Sequence, residues 1–555
     1  MRERVQQAGL SLHAIAGTYV VLLGFNLPEG ECEGLLGFSI HRTDHTENEA
    51  YFLEGMKAFA ETDPGFPSGS SYSTRDHPIQ SFQWADYTAK PGHRYIYTVT
   101  ARKGTPAALT NFAEVAVTIT TESPENGDHD IYFNRGVAAS QAYVRRFGDR
   151  PPHLVENNQA FIWLSRGAYE AMTAFMQPVE PERHAFLVAA YEFHYRPFLD
   201  VVRAAANRSD VKIIYDARKE PSNDPTKPSL TDRNRAAVAA AALGDISRER
   251  RANKSYIAHN KFIVRLKDGA PEAVWTGGTN FSEGGIFGHS NVAHVVEDPA
   301  VAGKFRDYWM LLAGDPTNST LKPQVSALTP IPSDPPAVGS TVLFSPRPGL
   351  DLLRRYADIA RGARAGLFMT FAFGMNDLWK DAYRTAAAPL RFALMEAKTR
   401  AMEDGPEKEA EERAIDELRR LRENVFAIGS FIRTNQFDGW VKERLTGLNT
   451  NVRYVHNKFM LVDPLGDEPI VIAGSANFSE ASTDQNDENM LIIKGNRRVA
   501  DIYLGEFMRL YSHHAFRESL TFPGANPEPK PLRTDAWWRN YFGGTPRSRR
   551  REFFA

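Results

Sequence analysis

The first 122 residues carry short stretches in which apolar and polar residues alternate, separated by turns rich in proline and glycine. Tyr95–Thr100 alternates cleanly after the turn Pro91-Gly92, and Val115–Thr120 repeats the pattern. Alternation with a period of two is typical of strands with one buried face. Short strands with such turns favour two packed sheets. The pattern therefore predicts an all-β sandwich over residues 1–122.

From residue 131 the pattern changes to continuous apolar runs that alternate with amphipathic helices. Phe186–Tyr191 is apolar, Phe198–Ala206 has helical periodicity, and Val211–Tyr215 is strand-like again. Such strand–helix–strand units are typical of parallel sheets. The same order returns in three later segments: Gly366–Phe373, Asp377–Ala387 and Leu390–Leu394. We predict a multi-domain chain whose two duplicated α/β halves, residues 131–315 and 339–520, are joined by a proline-rich connector.

Residues 521–555 form a tail that is rich in proline, aromatic and basic residues. Within it, Trp537 and Trp538 precede the basic run Arg547–Arg551. A mixture of aromatic and basic side chains can lie on an anionic surface, either lipid or nucleic acid. It can equally dock on its own domain through the aromatic rings. Peripheral membrane contact through residues 537–554 is therefore one expectation, and docking is the other.

One short motif occurs twice. His259-Asn260-Lys261 is followed by an apolar run and then by Gly277-Gly278-Thr279-Asn280, while His456-Asn457-Lys458 is followed by a similar run and by Gly474-Ser475-Ala476-Asn477. In both copies the asparagine follows the histidine by 21 residues. Because side chains alternate along a strand, the histidine and lysine of each copy share a face. Two matches with equal spacing indicate a functional site.

Two such halves face to face would surround one small anion with two histidines, two lysines and two asparagines. Phosphoryl transfer needs positive charge around the phosphate oxygens and groups in line for attack and departure. One histidine can attack phosphorus while the other protonates the leaving oxygen. The lysines supply the positive charge, so we expect neither a metal nor a cofactor.

These residues resemble the phospholipase D superfamily, whose signature is a repeated His-x-Lys-x4-Asp motif. In the second copy His456, Lys458, Asp463, Ser475, Asn477 and Glu488 match the family pattern. In the first copy only His259, Lys261 and Asn280 match. At the position of the motif aspartate the first copy has Leu266, and we expect Ser290 to occupy the position that corresponds to Glu488.

The resemblance implies roles for these residues. In the family the acidic residue of one half orients the histidine of the other, so Glu488 would hold His259 as the nucleophile. His456, facing the neutral Ser290, would be the general acid, and the intermediate would be a phosphohistidine. Lys261, Lys458, Asn280 and Asn477 would hold the phosphate, with Asp463 among the catalytic group. Ser475 and Gly278 are expected to contact the substrate.

Composition limits the remaining choices. The chain has 555 residues, which predicts several domains, and its net charge of −2 provides no overall basic field for nucleic acid. Cys32 is the single cysteine, so neither a disulfide framework nor a cysteine zinc site is expected. No stretch reaches the length of a membrane span, and the apolar stretch Ala14–Phe25 is interrupted by glycines. We expect a cytoplasmic protein, with a membrane-peripheral location as an alternative.

Three functional hypotheses stay open. A phosphodiesterase acting on phospholipid, with transfer to an alcohol as a second outcome, is narrowly favoured. A metal-independent nuclease is the first alternative, and a non-catalytic scaffold that binds a partner through the sandwich is the second. The strand after Pro91-Gly92 has a Tyr-x-Tyr-x-Val pattern and is similar to a fibronectin type III module.

Overall fold

A computed structural model describes residues 1–63, 71–136, 141–148, 150–218, 228–252, 256–399, 404–429, 455–519 and 530–555. Residues 521–529 of the expected tail lie outside the described residues, as do parts of both expected α/β halves. Among the described residues, no helix combines the length and the apolar character that a membrane crossing requires.

The N-terminal region is built from antiparallel strands. Its strands among the described residues are β1 (Arg2–Gln7), β2 (Leu10–Ala16), β3 (Val21–Asn26), β4 (Gly37–Asp44), β5 (Glu49–Phe52), β6 (Glu54–Gly55), β7 (Tyr72–Ser73), β8 (Gln83–Asp86), β9 (Arg94–Thr105) and β10 (Ala108–Thr120). One four-stranded sheet has the order β1-β2-β3-β8 and the other β10-β9-β4-β5, and β6 pairs with β7. A core that includes Phe25, Phe38 and Tyr97 lies between them.

The first α/β part contains one seven-stranded sheet and its helices. Its strands are β11 (His129–Phe133), β12 (His184–Ala190), β13 (Asp210–Asp216), β14 (Ser247–Arg250), β15 (Lys261–Lys267), β16 (Ala270–Gly277) and β17 (Val292–Val296). Its helices are α1 (Gln141–Phe147), α2 (Gln159–Ser165), α3 (Ala168–Phe175), α4 (Arg196–Ala206), α5 (Leu230–Ala240) and α6 (Pro299–Ala313). α7 (Asn318–Leu328) follows, so the expected proline-rich connector contains a helix with Pro323 inside it.

The second α/β part repeats this arrangement. Its strands are β18 (Gly339–Ser345), β19 (Leu367–Phe371), β20 (Arg391–Met395), β21 (Asn424–Ile428), β22 (Phe459–Val462), β23 (Ile470–Gly474) and β24 (Glu488–Lys494). Its helices are α8 (Asp351–Arg361), α9 (Asp377–Thr385), α10 (Pro406–Arg419), α11 (Glu480–Asp484) and α12 (Arg497–Ser519), and α13 (Pro546–Phe554) ends the chain.

The two seven-stranded sheets share one topology. The orders are β11-β17-β16-β15-β12-β13-β14 and β18-β24-β23-β22-β19-β20-β21, so corresponding strands occupy corresponding places. In each sheet the second, third and fourth strands of that half run parallel and the others pair antiparallel. One core contains residues of both sheets together with α6 and α12, including Phe262, Phe305, Phe459 and Phe507. Burial of these faces in a common core holds the two halves together.

The aromatic residues of the C-terminal segment pack on the chain itself. Trp537 and Trp538 are buried in the sandwich core, and the Trp537 indole N–H donates to the Leu35 carbonyl. Phe554 is fully buried, and Phe553 packs against Phe368 of the second α/β half. Rings held in these cores are not available to a bilayer, so the structure gives no support to the expected membrane contact through residues 537–554.

Candidate active site

Corresponding strand ends bring the two motifs to one place. β15 begins at Lys261 and β22 directly follows Lys458, while β16 and β23 end at Gly277 and Gly474. Two isolated parallel bridges join the halves here. Ala258 pairs with Asp487, and Val455 pairs with Ser290. Each bridge sets the histidine of one half beside a polar residue of the other.

His259 contacts a carboxylate of the second half. Its Nδ1 atom lies 2.9 Å from both carboxylate oxygens of Glu488. The Ser475 hydroxyl also donates to Glu488, at 2.6 Å, so the carboxylate is held from two sides. Burial alone would raise the pKa of Glu488, but His259, Lys261 and Ser475 hold that pKa below its usual value. Glu488 is therefore an ionised partner of His259.

His456 contacts a neutral amide of the first half. Its Nδ1 atom lies 2.8 Å from Oδ1 of Asn291, and the Asn291 amide nitrogen donates to the Gly285 carbonyl at 2.7 Å. This second bond fixes the amide oxygen toward the histidine. The assignment of Ser290 to the place of Glu488 was therefore wrong by one residue. Ser290 instead pairs through its backbone with Val455.

Equal spacing could have identified Asn291 from the sequence. Asn291 follows His259 by 32 residues, and Glu488 follows His456 by 32 residues. The same comparison places Gly278 opposite Ser475. A Cβ atom added at Gly278 would lie 3.1 Å from Oδ1 of Asn291. The pair Ser475 and Glu488 of one half is thus replaced by a glycine and an amide in the other.

Both lysines are buried beside the histidines. Each ammonium group donates to the carbonyl of the histidine two residues earlier, Lys261 to His259 and Lys458 to His456 (2.6 Å for the second pair). Burial lowers the pKa of Lys261 to about 7, and burial together with Lys261 holds the pKa of Lys458 well below its usual value. Buried ammonium groups at neutral pH are stabilised by an anion. The pair is therefore suited to hold a phosphate group.

Burial also lowers the pKa values of the two histidines. Burial lowers the pKa of His259 to about 4, although Glu488 opposes the effect. Burial, Lys458 and His289 hold the pKa of His456 well below its usual value. In the absence of an anion both rings are neutral near pH 7, and each uses Nδ1 for its partner. Nε2 is then the ring nitrogen that remains for chemistry.

The two asparagines of the motif have unused acceptors. Asn280 and Asn477 are at the corresponding position of each half, and the Oδ1 atom of each is buried without a hydrogen-bond partner among the described residues. A buried amide oxygen in this state costs free energy unless a ligand or water satisfies it. Both amides therefore fit the role of substrate contacts.

The structure does not bring Asp463 into this group. Asp463 follows the far end of β22, where its carboxylate accepts from the backbone N–H groups of Arg364, Ala365 and Gly366. A strand rises by about 3.3 Å per residue, so five residues beyond Lys458 correspond to roughly 16 Å. Asp463 therefore stabilises the loop before β19 and lies away from the histidines.

Further residues that the sequence did not indicate surround the histidines. The Tyr191 ring lies 4.9 Å from that of His259, and the His289 ring lies 5.2 Å from that of His456. Asn489 donates to Asn260 at 2.9 Å, which links the halves below the cleft. Tyr191 directly follows β12, and this position at a strand end is the sequence feature that could have indicated its place beside His259.

Among the described residues, one group has ligand atoms near enough to share a metal ion, namely Asp44, Glu47 and His93. It lies in the N-terminal region, on β4 and the turns beside it. His93 bonds to Asp44 at 2.8 Å, and the Lys90 ammonium contacts Glu47, so both carboxylates already have partners within the protein.

Known proteins show similarity to this arrangement. Residues 408–511 match the family model described as "Cardiolipin synthase, PLD-like domain". This part of the chain is therefore similar to phospholipase D-like domains. The match includes His456, Lys458, Asn477 and Glu488. No curated protein sequence is similar enough to count as a match.

The solved structures that are similar to this chain have low sequence identity to it. Phosphatidylserine synthase from Haemophilus influenzae is 12% identical with a TM-score of 0.42, over 64% of this chain and 88% of that chain. Polyphosphate kinase from Porphyromonas gingivalis is 11% identical with a TM-score of 0.40, over 67% of this chain and 52% of that one, about half its length. Nuc from Salmonella typhimurium, a phospholipase D family member, is 16% identical with a TM-score of 0.22, over 31% and 93%.

Proposed function

We propose that the chain is a metal-independent phosphodiesterase of the phospholipase D type that works through a covalent phosphohistidine. The observation that supports this most is the unequal pairing of the two histidines. His259 has an ionised carboxylate as partner, and His456 has a neutral amide. A carboxylate stabilises a positively charged imidazole, whereas an amide does so much less. The unequal partners therefore favour unequal roles.

In the proposed first step Nε2 of His259 attacks phosphorus and the bond from phosphorus to the leaving oxygen breaks. His456, protonated on Nε2 when the anion is bound, gives that proton to the leaving oxygen. Glu488 stabilises the charge that develops on His259. In the second step a water or alcohol oxygen attacks phosphorus, His456 takes up its proton, and the bond to His259 breaks. Lys261, Lys458 and the two motif asparagines hold the non-bridging oxygens throughout.

For the substrate we propose a phospholipid. The family model that matches residues 408–511 carries the description of cardiolipin synthase, an enzyme named for a lipid product. Phe373, two residues after β19 at the cleft edge of the second sheet, is 43% exposed and adds an apolar surface there. Hydrolysis would give phosphatidic acid and a free head group, and an added alcohol would give a phosphatidyl alcohol.

The test is a product assay in EDTA with wild type, His259→Ala and the control His45→Ala, which removes an exposed histidine of the N-terminal region. Each variant meets mixed phospholipid vesicles with and without ethanol and, separately, single- and double-stranded DNA. We expect phosphatidic acid, and phosphatidylethanol when ethanol is present, from wild type and His45→Ala alone. Shortened DNA without lipid products would contradict the lipid proposal and would show that the protein is a nuclease. No product with either substrate would favour the scaffold hypothesis.

A further inference from the structure

A large cavity lies beside the catalytic cleft in the first α/β half. Its volume is about 1000 Å³, and its walls are α2, α3, the start of α4 and the segment before His289. Four aromatic rings line it, namely Phe161, Tyr169, Tyr195 and Phe287. Phe287 lies centrally, with ring centroids 4.7 Å from Phe161, 5.7 Å from Tyr169 and 5.5 Å from Tyr195. None of these residues belongs to the proposed catalytic group.

The cavity walls are continuous with the segments that carry the cleft. The Tyr195 backbone N–H donates to the carbonyl of Phe281, the residue after Asn280. Phe287 stands two residues before His289, whose ring neighbours that of His456. The cavity is therefore a separate space that adjoins the catalytic groups through two short segments.

The charge of the cavity lining is negative. Glu170 and Glu283 both line it together with two histidines, His153 and His194, and no lysine is found among the described lining residues. Arg196 also lines the cavity, but its guanidinium donates to Asp200 at 2.7 Å and to the Ala240 carbonyl at 2.9 Å. The positive charge of Arg196 is thus already matched. Of the two carboxylates, Glu283 has the His153 ring of the lining near it, whereas Glu170 forms no ion pair among the described residues.

We propose that this cavity binds an organic cation, a group of the alkylammonium class. Aromatic rings attract cations through their negatively charged faces, and the attraction grows when the ligand leaves water. Carboxylates at the edge of such a ring cluster add Coulomb attraction. A neutral apolar ligand would gain from the rings alone, and an anion would be repelled. The combination of rings and carboxylates therefore selects a cation over a neutral molecule of equal shape.

The test compares the binding of choline with that of 3,3-dimethylbutan-1-ol, which has the same shape without the charge. Calorimetry or ligand-detected NMR is carried out on the full chain, so neither measurement depends on turnover. The variants are Glu170→Gln, Tyr169→Leu and the control Glu33→Gln, an exposed residue of the N-terminal region. Thermal unfolding of each variant confirms that the fold is kept.

We expect wild type and Glu33→Gln to bind choline about tenfold more tightly than the neutral alcohol. Glu170→Gln should weaken choline by up to about fivefold, the upper range for an exposed ion pair, and leave the alcohol unchanged. Tyr169→Leu should weaken choline as well. Equal affinity for both compounds, no binding of either, or choline binding that both variants leave intact would each overturn the proposal. Failure of phosphodiesterase activity would not affect this result, because binding alone is measured.

Discussion

Replacement of Glu488 by glutamine is the substitution that tests the unequal histidines most directly. Glutamine has nearly the same shape, so its amide oxygen can still accept from His259 Nδ1 and from the Ser475 hydroxyl. What is lost is the negative charge, in a place where Glu488 is 1% exposed. A variant that keeps the geometry and removes only the charge separates electrostatic support from simple positioning.

The expected size of the effect follows from the bonds in the site. Loss of the charge turns a hydrogen bond of about 1.5–3 kcal/mol into a neutral one of about 0.5–1.5 kcal/mol. At about 1.36 kcal/mol per tenfold change in rate, this difference of about 1–1.5 kcal/mol should lower kcat/KM by about fivefold to 13-fold. Glu488 also raises the pKa values of His259 and Lys261 against the effect of burial. Without it both pKa values fall further, and Lys261 loses its proton at a lower pH. The alkaline side of the pH profile should therefore move to lower pH.

The assay is kcat/KM for bis(p-nitrophenyl) phosphate from about pH 5.5 to 9, in EDTA, with thermal unfolding measured in parallel. Glu33→Gln, which removes an exposed carboxylate of the N-terminal region, is the matched control. A Glu488→Gln variant that folds normally and stays within about threefold of wild type at every pH would refute the reasoning, because the charge would then be irrelevant to His259.

Two further predictions concern the lysine pair and the strand end. Sulfate should protect the protein against thermal unfolding at pH 6.5 and lose that effect as the pH rises above 7. The reason is that the pKa of Lys261 is about 7 and only the protonated amine attracts the anion; protection that is constant from pH 6 to about 9 would contradict it. Asp463→Asn should lower the free energy of unfolding by about 1–3 kcal/mol because backbone N–H groups lose a charged acceptor. Its kcat should match wild type, and a large loss of kcat at an unchanged melting temperature would return Asp463 to the catalytic group.

The two copies of the motif show how much of this site can be predicted from the sequence. The equal spacing of His259 to Asn280 and of His456 to Asn477 identified both strand ends, because local sequence and the alternation of side chains determine what shares a face. The partner of His456 was missed by one residue, since the residue opposite a histidine is selected by pairing across the halves. A comparison of corresponding positions identifies Asn291, but only the structure shows the contact.

The positions of Asp463 and of the C-terminal tryptophans depend on long-range packing, which a local sequence pattern does not predict. Asp463 matched a family motif by its spacing, yet strand geometry places it at the opposite end of β22 from Lys458. Trp537 and Trp538 have the composition of a surface anchor, and their actual place in the sandwich core depends on contacts some 500 residues earlier, such as the bond to Leu35. Aromatic side chains are equally suited to a core and to an interface, so composition alone could not decide between them.

The unequal partners of His259 and His456 also have a consequence for how such a centre can arise. Two identical polypeptides related by a two-fold axis must present the same neighbour to both rings, because every substitution appears twice. Here both sheets belong to one chain, so position 291 can be an amide while position 488 is a carboxylate. A single continuous chain can therefore give its two imidazoles permanently different partners. Under the proposed mechanism, the amino-acid sequence then determines which histidine attacks phosphorus.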